Sequence, residues 1–190
     1  MRPLSGKALI GGLTAFWFLV GGVETTPADQ KDGRLPELFA ALKAAPDVET
    51  AAAVEDKIWR IWLQANDAAI DKLMTEGSKA MSAQQFGTAL QKFNAIIAQR
   101  PDFAEGWNKR ATLYYVMGNY QQSLADIDRT LELEPRHIGA LSGLGLVNMQ
   151  MEREEAAADA FERVLNIDPM NISAKQNLAI VQDMLKRKQI

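Results

Sequence analysis

The chain has 190 residues, 47% of them hydrophobic and 24% charged, and carries a formal net charge of −3. This is the composition of one globular domain with a tail, and an acidic chain without a basic stripe is not built to displace counterions from nucleic-acid phosphates. With no cysteine and a single histidine, disulfides, thiolate chemistry, a cysteine-linked lipid anchor and multi-histidine metal sites are all excluded.

Residues 1–28 read as an address. Arg2 and Lys7 precede an uncharged apolar stretch over residues 8–23, and Glu24 ends it before a polar exit. Positive start, apolar middle and polar exit describe a secretory signal. The stretch is short for a membrane span of about 20 residues. Thr26 and Ala28 are the best small pair for cleavage, but no clean Ala-x-Ala site stands there. Two outcomes therefore stay open: a cleaved signal, or an uncleaved anchor in the inner membrane. Both place the rest of the chain in the periplasm. Residues 29–34 follow as a linker.

Residues 35–66 read as two helices. Pro36 suits the first turn of the first, and Asp47 is a natural N-cap for the second. Trp59 and Trp62 sit on the second helix beside Ile58 and Ile61. They are either an aromatic binding patch or a wedge packed against Leu73, and the apolar neighbours favour the wedge.

A period of 34 governs what comes next. Pro101, Pro135 and Pro169 share one register. Leu73, Trp107 and Leu141 fall in step, as do Gly77, Ala111 and Gly145, then Phe93, Ile127 and Phe161. Each set keeps its character: large, tiny, large. Three copies span residues 67–171, at about 70–103, 104–137 and 138–171. Gly118 and Asn119 mark the turn inside the central copy, and each proline ends a second helix because it cannot donate the bond that would extend it. Residues 172–190 continue the register as a polar capping helix, and Lys186, Arg187 and Lys188 suit its C-terminal dipole.

The period and its slots resemble the tetratricopeptide repeat, whose pattern is W-x2-L-G-x2-Y…A-x3-F…P. Trp107, Ala111, Tyr114 and Pro135 carry the resemblance best, while Arg110 departs from it in the leucine slot. The resemblance implies an all-α solenoid of helical hairpins. It makes residues 35–66 a degenerate hairpin capping the first repeat. It also implies a concave groove lined by the first helix of each repeat, one residue off the packing slots. Those positions are Met74, Ser78 and Met81, then Asn108, Thr112 and Tyr115, then Ser142, Leu146 and Met149, with Lys109 beside them; Glu105 and Gly139 fall in the same register. Methionine suits varied apolar partners, and an asparagine amide both donates and accepts. Chaperone-tail-binding members of the family grip a terminal carboxylate with a clamp of lysine, asparagine and arginine. Here the matching slots hold Met74, Ser78, Lys109, Gly139 and Gly143, so a strong carboxylate clamp is not expected.

No catalytic constellation, cofactor or metal site is read from the sequence. Gly143 and Gly145 lie inside a helix rather than a phosphate loop, and the carboxylates from Glu152 to Glu155 open a helix. His137 is expected as an exposed loop residue. The reading is a protein or peptide partner held by a scaffold in the bacterial cell envelope. Two alternatives stand beside it: a membrane-tethered accessory subunit of an envelope-biogenesis or cytochrome-maturation machine, and a structural protein that self-associates through its tryptophan hairpin.

Overall fold

The computed structural model describes residues 29–188, so the export signal or anchor expected at 1–28 lies outside the described residues. Among the described residues there are nine α-helices and no strands. Helices α1 (Leu35–Lys43) and α2 (Val48–Trp62) form the N-terminal hairpin. Helices α3 (Ala68–Ser82) and α4 (Phe86–Gln99), α5 (Ala104–Val116) and α6 (Tyr120–Leu133), and α7 (Ile138–Gln150) and α8 (Glu154–Ile167) form three successive hairpins, and α9 (Ile172–Lys188) closes the stack.

Local chemistry sets these boundaries. The Asp47 carboxylate accepts the Thr50 N–H at 2.8 Å, and Asp67 accepts those of Ala69 at 2.8 Å and Ile70 at 3.3 Å, so α2 and α3 start where a capping oxygen replaces a missing helical acceptor. Helices α4, α6 and α8 each stop just short of Pro101, Pro135 and Pro169. The turn inside each repeat needs one left-handed residue. Gly118 supplies it at φ 74° in the central copy; Gln84 (φ 58°) and Glu152 (φ 55°) do the same job in the others, again 34 residues apart. A side chain there costs about 1 kcal/mol that glycine would not.

Within each hairpin a large side chain meets a small one. A Cβ on Gly77 would lie 2.7 Å from Phe93 Cε1, and one on Gly145 would lie 2.5 Å from Phe161. In the central copy the small residue is Ala111 and the large one is Ile127, both buried in one cluster. Glycine thus faces phenylalanine, and alanine faces the smaller isoleucine. The departure at Arg110 has its own logic. Its guanidinium makes two bonds to the buried Asp126 carboxylate at 2.7 and 2.8 Å, and it lies 5.0 Å from the Trp107 ring centre and 5.7 Å from that of Tyr114. A largely buried ion pair and aromatic faces do here what Leu144 does in the third copy, while the first copy holds Glu76, paired with Lys92, in this slot.

The N-terminal hairpin is not where the sequence suggested. It does not wedge against Leu73, which packs in a separate cluster with Ile70, Phe93 and Ile96. Instead it lies along the edge formed by the loops between repeats. Leu35, Phe39, Leu42, Ile58 and Trp62 share a core with Ile138, Leu141, Val164 and Ala174. The residues flanking the hairpin reach the first of these loops: Asp29 meets Arg100 at 3.4 Å, Lys31 meets Asp102 at 3.1 Å, Gln30 bonds the Asp102 carbonyl, and Arg100 donates to the Ala65 carbonyl at 3.3 Å. Arg136 of the second loop lies 4.2 Å from the Phe39 ring centre. Met170 of the third packs against the hairpin core. The physical reason is apolar area. The start of α7 and the loop before α9 offer Ile138, Leu141 and Met170, and the hairpin's own apolar stripe matches them, whereas the large side chains of the first repeat are covered within its own hairpin and by Leu113 of α5.

Size matching predicts a coupled pair. Gly145→Ala should lower stability by about 1–3 kcal/mol, because the methyl group drives into Phe161. Adding Phe161→Ile should recover part of that loss, giving a favourable coupling of about 0.5–3 kcal/mol in a double-mutant cycle read by urea denaturation. Strict additivity would contradict the size-matching account.

Candidate binding groove

Helices α5 and α7 lie side by side, and between them opens a pocket of about 160 Å³. Asn108, Thr112 and Tyr115 of α5 and Gly139, Ser142, Gly143 and Leu146 of α7 line it, with Ala111 and Ile127 beneath. The 3.6-residue period brings them together, because i, i+4 and i+7 share one face of a helix. The two glycines keep one wall low. Beyond Gly143 a Cβ would meet only Ile127 Cδ1, at 3.5 Å, so the opening is preserved by the missing side chain rather than by strain. Thr112 turns its hydroxyl onto the Asn108 carbonyl at 2.9 Å, and the Tyr115 ring leans on Tyr120 at 5.9 Å. The pocket can seat one aliphatic side chain, with polar groups at its rim.

One end of the groove rests on a buried polar cluster. Glu105 is 1% exposed; its Oε2 accepts from Asn108 Nδ2 at 2.8 Å and meets His137 Nε2 at 3.0 Å, while its Oε1, which has no hydrogen-bond partner among the described residues, is ion-paired with Lys109 Nζ at 3.1 Å. Burial works against its ionisation, but the His137 bond, the Lys109 charge and the Asn108 amide outweigh it and hold the carboxyl below its ordinary range. The other histidine nitrogen, Nδ1, accepts the Ala140 N–H at 3.1 Å and so caps α7. The ring proton therefore sits on Nε2 and is donated to Glu105. Trp62 stacks flat on the same imidazole, with ring centres 4.2 Å apart and 9° between planes, and Trp59 meets it edge-on at 5.6 Å. Trp59 donates its indole N–H to Glu55 at 3.1 Å. The Trp62 N–H finds no acceptor among the described residues, a cost of about 1–3 kcal/mol that stacking and burial offset. Gly139 makes room for this arrangement: a Cβ there would lie 2.7 Å from Trp59 Cη2.

The proposed groove residues thus separate. Asn108, Thr112, Tyr115, Ser142 and Leu146 come together. Met74 does not: it is 6% exposed and belongs to the core of the first repeat, with Met81 packed beside it. Ser78 is half-buried on α3, away from the pocket. Met149 packs with Leu178 over Phe161 and Val181. Lys109 is committed to Glu105. His137 is fully buried, contrary to the exposed loop position expected of it, because it stands at the start of α7 where a capping acceptor is needed. The available signal was Asn171, 34 residues on, which caps α9 through its own oxygen by accepting the Ala174 N–H at 2.9 Å. Trp62, at 1% exposure, is core of its own chain rather than a surface for self-association.

Comparison with known proteins fits this geometry. The sequence profile of the tetratricopeptide repeat matches residues 108–171. A TPR repeat-containing protein of Rhizobium etli is 39% identical over 132 residues, 70% of this chain and 65% of that relative. The chain is a tetratricopeptide-repeat protein. DnaJ homolog subfamily C member 3 of Rattus norvegicus is 30% identical over 99 residues, 52% of the repeat protein and 20% of the relative. The matches thus span under two thirds of these relatives' lengths. Among solved structures, the first TPR of RPAP3 bound to an HSP90 peptide aligns with a TM-score of 0.60 at 20% identity, covering 62% of this chain and 94% of that one. MamA aligns at 0.59 and 18% identity, covering 78% and 84%. At these identities the structures show the shared fold.

The Glu105 cluster sets a pH dependence. A carboxyl whose folded value lies below its unfolded value of about 4.3 adds stability above that pH and loses it as the pH falls through the folded value. Glu105→Gln should therefore destabilise the protein at pH 7 by about 1–3 kcal/mol. The gap to the parent should narrow below about pH 4.3, as followed by thermal melts in a pH series. A gap that stays constant down to acid unfolding would count against the ionised cluster.

Proposed function

We propose that this chain is a protein-interaction scaffold that takes a peptide segment or a partner helix into the α5–α7 groove. We further propose that it works in the bacterial cell envelope, exported by residues 1–28. The pocket formed by Asn108, Thr112, Tyr115, Ser142, Gly143 and Leu146 carries the first part. It is apolar inside and polar at its rim, and it lies on the face that related solenoids use for binding. TPR domains of the same fold have been seen with HSP90 and HSP70 peptides. The export pattern of residues 1–28 supports the second part, and the Rhizobium etli relative supports a bacterial setting.

The clamp slots point to an internal segment rather than a chain end. Met74 is core, Gly139 and Gly143 have no side chain, and the Lys109 charge is spent on Glu105. The peptide SRMEEVD, bound by the RPAP3 domain, should bind here more weakly than about 1 mM, which corresponds to about −4.1 kcal/mol. Isothermal titration checks this, and tight binding that needs the free carboxylate would refute it.

Site-specific photocrosslinking in intact cells tests the groove itself. A photoreactive residue at Thr112 should capture a discrete partner, and one at Gln91 on the outer helix α4 should not. Gly143→Leu, whose side chain would fill the pocket, should abolish the Thr112 adduct while leaving the fold intact. The same adduct from both positions, or survival of the adduct in Gly143→Leu, would sink the groove reading. Fractionation of the same cells locates the protein, and recovery from the cytosol alone would reject the envelope assignment.

A further inference from the structure

Beside the face that meets the repeats, the N-terminal hairpin carries a second apolar stripe that the solenoid covers only in part. On α1, one stripe (Leu35, Phe39, Leu42) is buried against the repeats. The adjoining stripe, with Leu38 and Ala41, faces Val54 and Ile61 of α2 across a cavity of about 580 Å³. That is more than three times the volume of the α5–α7 pocket, and among the described residues it is lined by the hairpin and its flanks alone. The spacing explains it: Leu38 and Ala41 are three apart, and Val54, Lys57 and Ile61 fall at i, i+3 and i+7, so each helix turns one stripe to the same side. Ile61 forms a buried floor, and the half-buried Leu38 and Val54 with the exposed Ala41 form apolar walls that leave a slot for a third helix.

The charges at the rim say what the third helix should look like. The α2 wall carries Lys57, which has no ion-pair partner among the described residues, and Arg60, whose pair with Asp56 is exposed on both sides (73% and 56%) and so contributes little. The α1 wall carries Glu37, also unpaired among the described residues, while Arg34 is bound by two hydrogen bonds to the buried Asp32 carboxylate and is not free to serve. One wall is therefore effectively basic and the other acidic. We infer that this slot docks an amphipathic partner helix whose apolar stripe is flanked by carboxylates on the side that lies along α2. The surface is separate from the α5–α7 groove and stands whether or not that groove binds a peptide. It gives the protein two docking faces, one on the repeats and one on the hairpin.

The probe is a synthetic peptide of about 18 residues with leucines at i, i+3, i+4 and i+7 and glutamates along one flank, and its twin carries lysines there instead. Fluorescence anisotropy with the full chain should show the glutamate peptide binding and the lysine peptide binding at least roughly tenfold more weakly. The double variant Lys57→Glu/Arg60→Glu should reverse that preference, and Leu38→Glu should remove both. Lys57 and Arg60 are exposed, so thermal melts of the double variant should match the parent. Equal binding of the two peptides, no binding of either, or a preference unmoved by the double variant would overturn the inference. So would a concentration-dependent dimer that Leu38→Glu dissolves, which would assign the slot to a second copy of the chain. A crosslink between Lys57 and Lys7 in the full chain would assign it instead to the chain's own N-terminal segment.

Discussion

A single imidazole joins three parts of this protein. His137 uses one nitrogen to start α7, the other to hold Glu105 at the start of α5, and its face to receive Trp62 from the N-terminal hairpin. Replacing the ring with an aliphatic side chain would leave a buried carboxylate short of a donor, an uncapped helix and an unstacked indole at once. Losses of that kind are not additive, because each group is placed by the others. The groove depends on this too. Asn108, which lines the pocket, is fixed by the same carboxylate, and Gly139, at the pocket's end, sits under Trp59.

The repeats themselves rest on a simpler constraint. Helix axes can approach only as closely as their side chains allow, and here glycine faces phenylalanine while alanine faces isoleucine. Equal total volume across each hairpin keeps successive pairs stacked in the same way, which aligns α5 with α7 closely enough to make a pocket between them. The turns follow the same repeating logic at a local cost, with Gln84 and Glu152 in a conformation that suits Gly118.

Most of the solenoid was legible in the sequence because it is periodic: a slot filled three times at intervals of 34 announces its own role. The two ends of helix α5 show where that legibility stops. Tyr115 and Thr112 fall in the groove as their register implies, whereas Glu105, in the same register, is drawn inward by partners 3 and 32 residues away. Met74 shows the same limit from the other side, because a position one step off the packing slot is still core when the neighbouring helix closes over it. The placement of the hairpin was hidden for a different reason. Its amphipathic stripe says that it must dock, but Leu73 and Ile138 are equally apolar in the sequence. Only the three-dimensional arrangement of the loops shows which surface is left uncovered.

That placement changes what kind of object the solenoid is. A repeat array is ordinarily a line in which each unit feels only its neighbours, so it can fray from an end and unfold in stages. Here the hairpin and its flanking residues touch Arg100 and Asp102 in the first inter-repeat loop, Arg136 and His137 in the second and Met170 in the third. A tie across all three joints turns the line into a closed loop of contacts. Opening any one repeat now strains the tie to the other two. The array should therefore behave as one cooperative unit, with its curvature held constant, in the way that a stay fixes the angle of a jointed mast.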